Sequence, residues 1–246
     1  MFHTTSIVNK KAKIEKNVQI GPYSIIHENV TIEENTIIEG FCEIGYPTKL
    51  SERKNLYIGK DSHIRSHSIF YEGSSFKDKL VTGHRVTVRE NTHAGLNFQI
   101  GTLSDIQGDC IIGDYVRTHS SVHIGKKSTL GNYIWIFPYV VLTNDPTPPS
   151  DTMIGVTVKD FAVIATMAVL LPGVIINEHS IIGAHSLVTK DVPQGMVVAG
   201  NPAKILCEAS TIKLKDNSYV SAYPWPKHFN RGYPDCIKEE WKNIFK

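Results

Sequence analysis

The chain has 246 residues, 41% of them hydrophobic, and its 26 Lys and Arg against 24 Asp and Glu give a net charge of +2. This length allows one large core with a small appendage, and the balanced charge argues against a nucleic-acid-binding or membrane-surface protein. No apolar stretch follows a basic region at the N-terminus, so we expect no signal peptide and a cytoplasmic protein. The four cysteines suggest neither a disulfide framework nor a metal site.

An aliphatic side chain returns at almost every sixth position along most of the chain. A period of six fits neither an α-helix, which needs about 3.6, nor a single strand, which needs 2. It is typical of a solenoid in which each hexad forms one short parallel strand and one flat side of a coil. We expect Gly or Asn at the bends, where φ is positive. The longest uninterrupted run of this repeat comprises Val88, Ala94, Ile100, Ile106, Ile112, Thr118, Ile124, Leu130, Ile136 and Leu142.

Interruptions of the repeat predict loops that leave the stack of coils. The first interruption, at residues 45–56, is polar and shifts the register by two. The largest is residues 144–162, where closely spaced prolines stiffen the chain and prevent it from joining a sheet edge. A stiff loop beside the longest run of repeats is the expected wall of an active site.

The repeat ends near Val192, and we assign residues 1–204 to the solenoid and 205–246 to a C-terminal tail. One face of a predicted helix in the tail carries four apolar side chains: Ile237, Trp241, Ile244 and Phe245. Asp235 precedes them and can cap this helix. We expect the helix to close the open end of the solenoid and so protect its exposed strand edge.

Asp105 and His123 are eighteen residues apart, which is three hexads and, in a solenoid with three-sided coils, one complete coil. Their backbones should therefore be about 4.8 Å apart, with both side chains on the same wall. A carboxylate beside an imidazole raises its basicity and fixes its tautomer, as a general base requires. We predict that His123 is the catalytic base and Asp105 its partner, and an ordinary surface pair is the alternative.

Over residues 14–204 the repeat resembles that of the hexapeptide-repeat transferases, whose fold is a left-handed parallel β-helix. Residues 171–174 (LPGV) and 200–204 (GNPAK) are similar to late-coil and terminal segments of that family. The resemblance implies an acyl-CoA or carrier-protein donor and a homotrimer with active sites between neighbouring subunits. It also implies a CoA site along the last coils, formed by Ala165, Gly183, Lys190, Gly200, Asn201, Pro202 and Lys204. In that site the backbone amides of Ala165 and Gly183 would meet the pantetheine.

Two further segments, residues 134–150 and 223–234, resemble N-acyltransferases of nucleotide-linked amino sugars, particularly dTDP-3-amino-3,6-dideoxyhexoses. This resemblance implies that the sugar contacts four side chains: Asp105, His123, Asn144 and Asp145. Arg85 and Arg89 are candidate partners of the diphosphate. Three histidines are weaker candidates for the same cleft: His84, His93 and His119. The leaving sulfur could itself accept the amine proton, in which case His123 only positions the sugar.

Other functions remain open at this point. O-acylation of a sugar or of serine is the nearest competitor, and a non-catalytic β-helix binding module is another. A metal enzyme resembling the γ-class carbonic anhydrases would need three histidine ligands, here His84, His119 and His123. Their separations of 35 and 4 do not place two ligands a whole number of coils apart, so we expect no metal.

Overall fold

A computed structural model describes residues 1–245 and confirms the predicted all-β solenoid. Within these residues, strands mostly two residues long form three sheets of 10, 9 and 11 strands, which we call the first, second and third walls. The chain passes through the walls in that order and then returns to the first. We call the corners between them the 1–2, 2–3 and 3–1 edges.

Each wall is a ladder of parallel strands, except that the last two strands of the third wall are antiparallel. The first wall contains Ile7–Val8, Ile25–Ile26, Glu43–Tyr46, Ile69–Tyr71, Thr87–Val88, Asp105–Ile106, His123–Ile124, Val141–Leu142, Val169–Leu170 and Leu187–Val188. The second wall contains Lys13–Ile14, Val30–Ile32, Leu56–Ile58, Ser75–Phe76, His93–Ala94, Ile111–Ile112, Thr129–Leu130, Thr157–Val158 and Ile175–Ile176. The third wall contains Gln19–Ile20, Ile37–Ile38, His63–Ile64, Val81–Thr82, Gln99–Ile100, Arg117–Thr118, Trp135–Ile136, Val163–Ile164, Ile181–Ile182, Met196–Ala199 and Lys204–Glu208.

The repeated aliphatic residues fill the interior, as the six-residue period predicts. Ile44, Ile58 and Ile64 are completely buried on the first, second and third walls of one coil, and Phe70 lies next to Ile44 on the following coil. Burial of a large aliphatic side chain contributes about 1.5–3 kcal/mol, so the regular core is the main source of stability. Small side chains fill the corners, where Ser68 Oγ donates a hydrogen bond to the carbonyl of Arg65 at 2.7 Å.

The bends differ from the expectation of Gly or Asn at positive φ. Several bends place large side chains in the left-handed region, including Tyr115 and Tyr133, both with φ of 57°. Most glycines of the repeat lie two positions before the bend residue, where the small distance to the next coil leaves no room for a side chain. A Cβ added to Gly101 would collide with the backbone carbonyl of His119 on the next coil. Close approach between coils, and not positive φ, therefore requires glycine there.

The first loop follows Glu43–Tyr46 and contains the short 3-10 helix Lys49–Ser51. Glu72 holds this loop to the solenoid, since its buried carboxylate accepts hydrogen bonds from Thr48 N at 3.1 Å and Ser51 Oγ at 2.6 Å. Burial opposes ionisation of Glu72, but these bonds, a further one from Asn29 and the Arg53 charge together lower its pKa. Glu72 thus joins the loop to the first wall as a buried carboxylate.

The proline-rich loop is shorter than predicted. It leaves the wall after Val141–Leu142, and the solenoid resumes at Thr157–Val158, so residues 157–162 are not part of the loop. Val158 is buried in the core and continues the six-residue count backward from Ile164. The loop is closed at its base by a hydrogen bond of 2.8 Å from Ile154 N to the carbonyl of Asn144.

The tail packs along the side of the solenoid and does not close its end. Four rings stack along the 2–3 edge, with successive centroid distances of 5.5, 4.9 and 4.9 Å: Tyr115, Tyr133, Phe161 and His179. The short 3-10 helices Ala209–Thr211 and Trp225–Lys227 precede the α-helix Asp235–Ile244. Trp241 of that helix packs on Tyr133 with centroids 5.2 Å apart.

The helix does not close the end of the solenoid, and Asp235 does not cap the helix, so both expectations are wrong. The last parallel strand of the third wall, Met196–Ala199, is instead covered by Lys204–Glu208, which pairs with it in the antiparallel direction. Asp235 is the first helical residue, Pro234 occupies the capping position, and no side chain caps the helix. Among the described residues, every helix is too short or too polar to cross a lipid bilayer.

Replacing Trp241 by Ala should detach the tail and leave the solenoid folded. Trp241 is 3% exposed, and removal of a buried Trp side chain costs about 3–5 kcal/mol. We expect loss of the near-UV circular dichroism of the aromatic cluster and rapid tryptic cleavage after Lys238, with little change in the melting of the β-sheet signal. Ile244→Ala, at a residue that is 58% exposed, is the matched control. A solenoid that melts together with the tail would contradict the prediction.

Candidate active site

Asp105 and His123 stack on adjacent strands of the first wall. The two strands are in parallel register with Asp105 opposite His123, and His123 Nδ1 lies 3.1 Å from Asp105 Oδ2. The side chains are 36% and 38% exposed, respectively. The juxtaposition predicted from the eighteen-residue separation is confirmed.

The carboxylate of Asp105 is held ionised by its neighbours. Burial opposes ionisation, but hydrogen bonds from His123 and from Gln107 Nε2, together with the charges of His123 and Arg89, lower its pKa below the ordinary value. An ionised carboxylate only accepts hydrogen bonds, so Nδ1 of His123 must be the donor. In neutral His123 the lone pair is then on Nε2, where it can accept a proton from a bound substrate.

Three predicted residues lie along the 1–2 edge of the first wall. Arg89 follows Thr87–Val88, one coil before Asp105, and is hydrogen-bonded to buried Glu90. Asn144 donates to Met153 Sδ at 3.3 Å. Asp145 accepts bonds from Ser150 Oγ, Ser150 N and Thr147 N, so its carboxylate organises the proline-rich loop.

Three other candidates lie on the opposite, 3–1 edge. His84 and Arg85 are exposed there, and His84 Nδ1 is 2.9 Å from Ser66 Oγ. His119 stacks on Phe137 with centroids 4.8 Å apart, and burial lowers its pKa. The structure does not bring Arg85 together with Arg89, because a strand of the first wall separates them.

His93 lies on a different wall from His123. It belongs to strand His93–Ala94 of the second wall, where Nδ1 is 2.8 Å from Ser75 Oγ. Within one chain the two histidines therefore do not face the same side, and the assignment of His93 to the substrate cleft stays a prediction.

Most of the predicted CoA residues follow one line along the 3–1 edge. Ala165, Gly183 and Gly200 each come directly after a strand of the third wall, on successive coils. The N–H groups of Ala165 and Gly183 already donate to Ile182 O at 2.9 Å and Val198 O at 2.8 Å. The expectation that these amides donate to pantetheine is therefore wrong, because the stacking of coils uses them.

The remaining predicted CoA residues lie at two different edges of the solenoid. Asn201 and Pro202 are exposed beside Gly200 at the end of that line, and Lys204 begins the antiparallel strand that follows. Lys190 follows Leu187–Val188 and therefore lies at the 1–2 edge, across the first wall. It does not join the other predicted CoA residues.

Residues 11–46 match the family model described as bacterial transferase hexapeptide (six repeats). The chain resembles the hexapeptide-repeat acyltransferases. It is 28% identical to the acyl-[acyl-carrier-protein]–UDP-N-acetylglucosamine O-acyltransferase of Stutzerimonas stutzeri (strain A1501) over 203 residues, 81% of this chain and 70% of that protein. It is 34% identical to the 2,3,4,5-tetrahydropyridine-2,6-dicarboxylate N-acetyltransferase of Staphylococcus aureus (strain JH9) over 105 residues, 43% of this chain and 38% of that protein.

A solved structure also shares the fold. LpxA, a UDP-N-acetylglucosamine acyltransferase from Bacteroides fragilis 9343, superposes with a TM-score of 0.55 and 18% identity, covering 100% of this chain and 83% of that one. The chain spans more than two thirds of the Stutzerimonas relative but well under half of the staphylococcal one. Together, the comparisons support an acyl-transferring enzyme.

The structure adds an apolar cleft that the hexapeptide pattern did not predict. It measures about 190 Å³ and lies between the third wall and the tail, lined by Trp135, Phe137, Val163, Tyr223, Trp225 and Phe229. Phe137 connects this cleft to His119 through their stacked rings. The sequence did contain a signal for the tail contact, because Tyr115 and Tyr133 are one coil apart and so are Phe161 and His179.

Asp105 should fix the tautomer of His123. In ¹⁵N NMR spectra recorded where His123 is neutral, we expect the Nδ1–H form in the unmodified protein and a mixture of tautomers in Asp105→Ala, because the acceptor is removed. Ser75→Ala removes the equivalent partner of His93 and should leave the His123 signals unchanged. A dominant Nε2–H form in the unmodified protein would contradict this geometry.

Proposed function

We propose that this chain transfers an acyl group from acyl-CoA to the amine of a nucleotide-linked amino sugar, with His123 as general base. The observation that carries the proposal is the hydrogen bond between His123 and Asp105 on the open first wall. That wall lies between two edges with different side chains. The donor and the acceptor can therefore approach from opposite sides and meet at His123.

The 3–1 edge suits the thioester donor. Ala165, Gly183 and Gly200 are small and follow one another on successive coils, which leaves a path beside the wall for a narrow, flexible pantetheine arm. Gly200 to Pro202 would lie near the adenine, and the exposed Lys204 gives a cation near its phosphates. This assignment places the thioester at the His123 end of the path.

The 1–2 edge suits the acceptor. Arg89 provides a cation there, and Asn144 provides an amide at the root of the proline-rich loop. A diphosphate is recognised by guanidinium groups and a sugar hydroxyl by amides. The acceptor we favour is a dTDP-3-amino-3,6-dideoxyhexose, and the acyl group is acetyl or a short hydroxyacyl.

In the reaction, the neutral sugar amine forms a bond to the thioester carbonyl carbon, and Nε2 of His123 takes the one proton that the nitrogen loses. The oxyanion of the tetrahedral intermediate is stabilised by a backbone N–H. Collapse of the intermediate breaks the C–S bond, and the CoA thiolate takes the proton from His123. Asp105 holds the imidazole in the required tautomer and stabilises its charged form.

We propose that the active unit is a cytoplasmic homotrimer. An exposed first wall forms only one side of a cleft, and a neighbouring solenoid would supply the other side. The resemblance to hexapeptide-repeat transferases supports this arrangement.

A second candidate is O-acylation of a sugar nucleotide from an acyl carrier protein. It is favoured by the similarity to the Stutzerimonas O-acyltransferase, which extends over 81% of this chain. The same base could deprotonate a hydroxyl, so the catalytic pair does not separate the two reactions. The identity of the product distinguishes the two reactions.

A mass-spectrometric screen should identify the acceptor and donor. We expect N-acylated product when dTDP- or UDP-linked amino sugars are combined with short acyl-CoAs. UDP-N-acetylglucosamine with an acyl carrier protein tests the second candidate. Formation of only an O-acylated product would replace the first proposal with the second, and the absence of any product would favour a non-catalytic binding module.

His123→Ala should lower kcat by about 10²-fold or more, because general-base catalysis commonly contributes that factor. KM for the acyl donor should change little. His3→Ala, at the N-terminal end of the solenoid, where the exposed His3 has Nδ1 2.9 Å from Thr5 Oγ1, is the matched control and should retain normal kcat. Near-normal turnover of His123→Ala would assign His123 to positioning and the proton to the leaving sulfur.

A further inference from the structure

Two tyrosines form an aromatic platform at the 1–2 edge, several coils before the catalytic pair. Tyr46 and Tyr71 end neighbouring strands of the first wall and pair in register. Their ring centroids are 4.9 Å apart, and Tyr46 is 38% exposed. Both positions depart from the regular repeat, because the loop after Tyr46 and the irregularity at Tyr71 interrupt the hexads.

Neighbouring side chains fix the positions of the two rings. Glu72, next to Tyr71, is buried and binds the loop that follows Tyr46 through Thr48 N and Ser51 Oγ. His27 packs edge-on against Tyr46 at 6.3 Å and pairs with Glu43 at 3.0 Å. A rigid pair of partly exposed rings is the kind of surface on which a planar heterocycle stacks.

A cation follows the platform in the direction of the catalytic pair. Arg89 lies on the next coil, with Cζ 5.8 Å from the centroid of the Tyr71 ring. Within residues 1–245, its hydrogen bonds to Glu90 use Nε and Nη2, so Nη1 is available to a phosphate oxygen. Arg89 follows strand Thr87–Val88, which pairs with Asp105–Ile106 on the next coil, and its charge helps to lower the pKa of Asp105.

The order along the edge matches the order of groups in a sugar nucleotide. Three coil steps lead from Tyr71 through Thr87–Val88 and Asp105 to His123, a rise of about 14 Å at the usual strand spacing. Base, diphosphate and sugar would then lie successively on Tyr46 and Tyr71, beside Arg89, and at His123. The span is that of an extended nucleoside diphosphate sugar.

We infer that Tyr46 and Tyr71 form the nucleobase subsite of the acceptor, with Arg89 as the adjoining diphosphate contact. This inference rests on the proposed function, and it specifies that the acceptor lies along the 1–2 edge with its base toward the N-terminal coils. It also gives the first loop a function, since that loop directly follows Tyr46.

Direct binding of dTDP and of UDP, measured by isothermal titration calorimetry, tests the subsite without any need for turnover. Loss of a base–aromatic stack weakens binding about tenfold or more, so we expect that loss in Tyr71→Ala and near-normal affinity in Tyr71→Phe. Tyr57→Ala is the matched control, because Tyr57 is a partly exposed tyrosine of a nearby strand on the second wall. Unchanged melting temperatures would show that the variants are folded.

The outcomes separate this inference from the proposed function. Nucleotide binding that depends on Tyr71 supports the subsite even if no acyl transfer is found. If the unmodified protein transfers an acyl group to a sugar nucleotide but Tyr71→Ala keeps its affinity for dTDP and UDP, the subsite is overturned and the function stands. Failure of the unmodified protein to bind either nucleotide overturns the subsite as well.

Discussion

The parallel register between successive coils is the constraint on which the rest of this structure depends. Each strand is only a few residues long and would be unstable alone, but every coil hydrogen-bonds to the next with the same offset. Ile106 lies over Val88 and under Ile124, so the interior is continuous from coil to coil. The same offset fixes the outward side chains, which is why Asp105 must face His123 once Ile106 and Ile124 are in the core.

Regular stacking also explains how the tail attaches. The left-handed bend residue occurs once per corner, and its side chain points outward beside the equivalent residue of the next coil. Polar residues there make polar ladders, as Asn17 and Asn35 do with a hydrogen bond of 3.1 Å. On the 2–3 edge the same position carries Tyr133 and Phe161, whose rings stack. Tyr133 and Phe161 have the positive φ that is uncommon for bulky residues, and the aromatic surface that they form binds the tail.

The sequence predicts the features that follow from the six-residue period. It does not predict the contacts between the coils and the tail. The walls, the core and the Asp105–His123 pair follow from the six-residue period and the eighteen-residue separation of successive coils. The side-on packing of Trp241 does not, because hexads describe contacts between coils and say nothing about how a tail returns to them. The misassigned residues show a related limit. The resemblance predicts that the backbone amides of Ala165 and Gly183 meet pantetheine, but their N–H groups donate to the next coil, a constraint that a motif resemblance does not include.

Interruptions of the repeat are the features that allow a solenoid to bind a ligand in a single register. An uninterrupted stack presents nearly the same surface at each coil and could bind a ligand in several registers. The first loop and the proline-rich loop flank the Asp105–His123 pair along the 1–2 edge, and the small residues of the 3–1 edge continue beyond it toward Gly200. A ligand that uses Tyr71 and Arg89 can occupy only one register relative to His123. In the proposed binding mode, interruptions of the repeat would fix the register of the acceptor, whereas the donor path would follow the repeat itself.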